Sequence, residues 1–201
     1  MNLLDKQIIK TNFSLLGKYI VCLTMAFIVT ISLFMIFSAT SGGNEGPEGA
    51  ANIVMLGLSE VCSLGTMLLF INGTVFYIGD SDANKVQFGR IEYDKWKGLK
   101  MSILPAVPGL ATYIVLLCGK LGILGNWSWT LFNLCNYHLY GYHQLIFGGR
   151  VENVQNIGWL SMVGALLAVV LVPLICHVCY TLGYKRINLF ERFVYKKDKR
   201  R

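Results

Sequence analysis

Four groups of residues in this chain have types and spacings suited to chemistry. Glu60 is the acidic residue inside an otherwise apolar stretch. A carboxyl group at such a position is costly, and it faces protein or a wet cavity rather than lipid. That is the setting of a proton carrier or a cation ligand. The plainer alternative is a buried carboxyl satisfied by a neighbouring Ser, Asn or Tyr. Asn133, Tyr137, Tyr140 and Gln144 recur at spacings of four, three and four. On a helix they make one polar stripe. It reads either as one wall of a ligand pocket or as ordinary interface polarity. With Glu60 these residues form the candidate ligand site.

Cys176 and Cys179 form a Cys-x-x-Cys pair around His177, and Cys22 is expected at similar depth. Three thiolates and an imidazole make a recognised zinc set, and the pair alone can serve as a redox dithiol. Cysteine is also a small packing residue in apolar helices, which is the expectation here, with no metal or other cofactor bound. Cys118 and Cys135 are a candidate disulfide pair near the opposite surface. Asp80-Ser-Asp82-Ala-Asn84 imitates the start of a calcium loop. Lys85 stands where that loop needs Gly, and Ile91 where it needs the closing Glu, so the reading fails. The two aspartates are instead expected to be held by Lys85 or Arg90. The chain has no P-loop, no His-Glu-x-x-His and no Gly-x-Ser-x-Gly.

The elements that carry these residues follow from composition. Of 201 residues, 54% are hydrophobic and 14% charged, against about 25% charged in ordinary soluble domains. Four long runs almost free of charge predict spans at 19–39, 51–78, 101–119 and 157–184, each near the roughly 20 residues that cross a bilayer. The fold class predicted is all-α: a polytopic membrane helix bundle of one domain, residues 1–201. Pro108 and Pro173 are expected to bend their helices. The uncharged stretch 127–147 is too polar and aromatic for a span. It is predicted to be an interfacial or re-entrant helix on the outer face.

Charge sets the orientation. Sixteen Lys and Arg residues fall in the N-terminal segment, the loop 79–100 and the tail 185–201; Lys120 and Arg150 alone fall on the other side. The positive-inside rule therefore predicts both termini in the cytoplasm, and an even number of crossings of what is expected to be the cell membrane. Lys185, Arg186, Arg192, Lys196 and Lys197 flank an apolar stripe in the tail, which predicts contact with anionic lipid on the inner face. The basic balance serves headgroups, not nucleic acid. The functional expectation is a non-catalytic, transport-associated, ligand-binding or accessory subunit, with a membrane-protein partner or a second copy as company. Two alternatives stand beside it. One is a membrane-embedded enzyme or thiol-redox protein using Cys176 and Cys179. The other is a structural partner docking through its cytoplasmic loop.

Overall fold

The structure is a computed structural model, and it describes residues 3–40, 50–147 and 151–187. The described residues are helical throughout their ordered elements and contain no strand. Four helical columns are long and apolar enough to cross a membrane. The first is α1, Leu3–Thr40. The second is α2, Ala50–Met67, joined through a π-turn at Leu68–Asn72 to α3, Gly73–Gln87. The third is α4, Lys97–Lys120. Two short helices follow, α5 at Trp127–Cys135 and α6 at Tyr140–Phe147, with a 3₁₀ turn at Tyr137–Leu139 between them. The fourth column is α7, Trp159–Tyr184.

The helices outrun the apolar runs that announce them. α1 begins well before Tyr19, and the loop expected over 79–100 shrinks to 88–96, because α3 continues to Gln87 and α4 starts at Lys97. Polar residues extend a helix without loss once its apolar stretch has nucleated it. Asp94 shapes the short connection. Its carboxylate accepts from the Trp96 backbone N–H at 2.9 Å and from Lys100 at 2.7 Å. Burial alone would raise this carboxyl, but the Lys100 ammonium and the Trp96 amide hold it below the usual carboxylate range.

α7 packs along both α3 and α4. A Cβ at Gly183 would collide with the Phe76 carbonyl, and one at Gly79 with the Tyr180 carbonyl. Small residues let membrane helices approach to backbone contact, where dispersion replaces the missing hydrophobic drive. Leu15, Tyr19 and Cys22 of α1, Met67, Ile71 and Val75 of the second column, Met101 of α4, and Val172, Cys176 and Tyr180 of α7 close one core around this contact.

α4 continues past both of its prolines, and Asn12 of α1 reaches the turn before them. Its side-chain nitrogen donates to the Lys100 carbonyl at 2.9 Å, and its oxygen accepts from Leu104 N–H at 3.0 Å. One amide thus bridges the i→i−4 pair that the helix would otherwise close itself, a recognised cause of bending. Where the charges of the α3–α4 corner meet, Lys97 pairs with Asp82 at 2.6 Å, both 1% exposed. Tyr180 donates to the same carboxylate oxygen at 3.1 Å, and Lys85 lies 3.5 Å from the other. Asp80 pairs instead with Arg186 at 3.2 Å. Arg90, expected as a partner for these aspartates, is placed over the Phe88 ring.

Candidate functional site

The segment 127–147 folds as a helical hairpin that packs back into the bundle rather than lying flat across its end. α5 leaves the end of the bundle where α4 finishes, packs against α4, turns at Asn136–Leu139, and returns as α6 between α2 and α7. Its turn lies deep. Asn136 donates to Thr112 at 3.2 Å, eight residues below the end of α4, about 12 Å at 1.5 Å per residue. Tyr19 of α1 donates to the Cys135 carbonyl at 2.9 Å. Irregular backbone at this depth is tolerable because four helices and these side chains wall it off and satisfy it.

Glu60 secures the returning arm. Its Oε2 accepts from the backbone N–H groups of Gly141 at 3.0 Å and Tyr142 at 3.3 Å. These are free donors of the first turn of α6, and a carboxylate there meets both the orphan amides and the positive end of the helix dipole. The fit demands glycine: a Cβ at Gly141 would stand 2.8 Å from the Leu56 carbonyl and 3.0 Å from Glu60 Oε2. The second oxygen, Oε1, is buried without a hydrogen-bond partner among the described residues.

Beside Glu60 lies a cleft of about 460 Å³ between α2, α6 and α7. Leu56, Leu64, Leu139 and Leu171 line it, and Glu60 is its charged group. Val61, Leu145 and Leu167 stand at its rim with more than half of their surface exposed, so it opens sideways.

The single site expected from Glu60 and the polar stripe divides in two. Asn133, Tyr137, Tyr140 and Gln144 do share a wall, as their spacing predicts, but on another face of the hairpin. With Trp129 and Thr130 they line a separate crevice of about 390 Å³. Glu60 is met by backbone amides rather than by these side chains. The helix break at 136–139 is the reason: it gives α6 an N-terminus, and free N–H groups are better carboxylate partners than the stripe.

Two buried histidines complete the hairpin. His143 Nδ1 lies 3.0 Å from Asn133 Oδ1, and the His138 ring packs edge-on against Tyr19. Both ring nitrogens of His138 and Nε2 of His143 have no partner among the described residues. Their spacing of five puts them off one face of a continuous helix, so the sequence alone does not bring them together; the break at Tyr137–Leu139 does.

The cysteine set is placed differently from a metal site. Cys22, Cys176 and Cys179 join the apolar core, and Cys179 donates to Asn72 at 2.8 Å. His177 turns away and stacks on Trp96 with ring centroids 6.0 Å apart. Among the described residues no cluster of three or more such side chains could hold a metal ion. Cys118 and Cys135 are both free thiols, and Cys135 is at the deep end of α5 rather than near a surface. Of the tail residues expected to contact lipid, Lys185 follows the end of α7 and Arg186 is engaged with Asp80, while Arg192, Lys196 and Lys197 lie outside the described residues.

Compared with known family models, curated proteins and solved structures, the chain matches none.

Proposed function

We propose that the chain is a non-catalytic membrane protein that binds an amphiphile: an apolar tail lies in the cleft between α2, α6 and α7, and a hydrogen-bond-donating, preferably cationic head group meets Glu60. The observation that carries this reading is the half-used carboxylate. Oε2 is committed to α6, while Oε1 is buried and without a partner at the wall of an apolar cleft. Leaving such an atom unmatched costs about 1–3 kcal/mol, which an ammonium or hydroxyl donor would recover. A few polar groups in a largely apolar wall are the usual composition of a ligand site, and the sideways opening suits a molecule already dissolved in lipid.

In this reading the basic end of the bundle faces the cytoplasm, both termini lie there, and the tail contacts anionic lipid. A transport-associated or accessory role fits a binding protein of this size. The thiol-redox alternative has less support, since Cys176 and Cys179 are core residues.

A long-chain primary amine carrying a diazirine in its tail tests the assignment. Photolysis in nanodiscs should concentrate label on α6 and α7 near Leu145, Leu167 and Leu171. Excess unlabelled amine should compete, and Glu60→Gln should lower the labelling several-fold. Label spread evenly over the apolar faces of all four columns, or unchanged in Glu60→Gln, defeats the proposal.

A further inference from the structure

The crevice on the other face of the hairpin has a chemistry of its own, independent of the amphiphile cleft. Its walls are Trp129, Thr130, Asn133, Tyr137, Tyr140 and Gln144, around about 390 Å³, within the range of small-molecule pockets. None of these side chains is charged. The Tyr137 and Tyr140 rings are stacked, 15° apart with centroids at 5.0 Å, and Phe27 packs edge-on against Tyr137 at 5.2 Å, so the pair is held in place as one aromatic side of the crevice. Trp129 is held behind them by Phe132 and Phe147, the latter ring 4.5 Å away.

The Tyr137 hydroxyl is engaged by Thr30, but most of the other polar groups of the wall are uncommitted. Thr130 and Gln144 make no hydrogen bond among the described residues, and neither does the Tyr140 hydroxyl. Asn133 adds order: its amide is tied to Nδ1 of the fully buried His143, which fixes the amide plane and leaves the other end of the amide free for a ligand. Gln144 and the Tyr140 hydroxyl are half-buried and Thr130 is exposed at the rim, a wall of polar groups facing open space that a ligand can complete.

We infer that this crevice is a second binding site, for an uncharged, hydroxyl-bearing ring such as a sugar. The absence of formal charge in the wall leaves an ionic group without compensation, so phosphate, carboxylate and ammonium ligands are disfavoured. An aliphatic ligand would satisfy the aromatic wall but strand the amides. A saccharide ring presents both surfaces needed: C–H faces that lie on aromatic rings, and hydroxyls that donate to and accept from Asn133, Gln144 and Thr130. The source is either a free sugar or the head group of a glycolipid, and the shared chemistry is the ring.

Two probes separate the sources: methyl glucoside in solution, and a monoglucosyl diacylglycerol in phosphatidylcholine nanodiscs. Saturation-transfer NMR on the purified full chain reads the first, and native mass spectrometry of retained lipid reads the second. Binding of the free glucoside identifies a soluble ligand; retention of the glycolipid alone identifies a head group. In either arm Gln144→Leu should weaken binding on the order of tenfold, the equivalent of one lost hydrogen bond. Tyr140→Phe, which keeps the ring wall and removes only the hydroxyl, should weaken it less. Both variants are to be compared at wild-type helicity and elution volume. Failure of both probes to bind, or binding unaltered in both variants, overturns the inference.

Discussion

Asn12 shows how much one side chain can be asked to do. Its single amide replaces a backbone hydrogen bond in α4 and ties α1 to the turn that precedes Pro105 and Pro108. Asn12→Leu removes both side-chain bonds and leaves the Lys100 carbonyl and the Leu104 N–H to pair only with each other. The expected loss is about 1 kcal/mol, read from unfolding of the variant in mixed SDS micelles. The Asp82–Lys97 pair makes a sharper prediction. Both groups are buried, so removing one leaves an uncompensated charge. Lys97→Met should cost about 3–5 kcal/mol, while the double change Asp82→Asn with Lys97→Met should recover most of it. Similar stability for the single and double variants would mean that the pair is hydrated rather than buried. The sequence announced neither arrangement. Asp82 and Lys97 are fifteen residues apart, and their meeting depends on a nine-residue connection, 88–96, that composition made to look longer.

At the scale of elements, the four spans and the odd status of 127–147 were legible because they rest on hydropathy, length and aromatic content, properties that survive any detail of packing. The polar stripe was legible for the same reason: Asn133, Tyr137, Tyr140 and Gln144 do line one wall. What could not be read was the break at 136–139, which ends α5, starts α6 and thereby redirects Glu60 to the amides of Gly141 and Tyr142. No local signal such as proline marks it; tertiary contacts from Tyr19 and Thr112 hold it. Gly141→Ala tests that account. A methyl group there meets the Leu56 carbonyl and Glu60 itself, so α6 must shift away from α2. A stability loss of about 1–3 kcal/mol is expected, together with loss of amine labelling in the cleft. The start of α4 offers a pH test. The Asp94 carboxyl is held low by Lys100 and Trp96 despite its burial. A depressed acid contributes stability above its unfolded value, near pH 4, and loses it as pH falls through the lower folded value. Protection factors at Lys97–Lys100 amides should therefore fall as pH drops below about 4, and Asp94→Asn should flatten that dependence.

Taken whole, the described residues have one strongly basic end, and the fold itself gathers that charge. The beginning of α1, the corner between α3 and α4 and the end of α7 meet at one end: Asn12 touches Lys100, and Arg186 reaches Asp80. Lys6, Lys10, Lys85, Arg90, Lys95, Lys97, Lys100, Lys185 and Arg186 therefore share that end, while Lys120, bound to the Gln155 and Ile157 carbonyls, stands at the other beside the mouth of the hairpin. A charge distribution of this kind predicts that the basic end faces the cytoplasm and that the hairpin enters from the opposite side. Single cysteines placed in a background with its six native cysteines replaced decide the point. Ser81 and Gln155 are both exposed, at opposite ends of the bundle. Gln155→Cys in intact cells should react with a membrane-impermeant maleimide, and Ser81→Cys should react only after the cells are opened. The reverse pattern would invert the protein and place the hairpin, with both of its cavities, on the cytoplasmic side. Reaction of both in intact cells would contradict the even number of crossings. The outcome also bears on the ligands, since a sugar arriving from outside can reach the crevice only if the hairpin opens to that side, whereas the amphiphile cleft, entered through lipid, is indifferent to it.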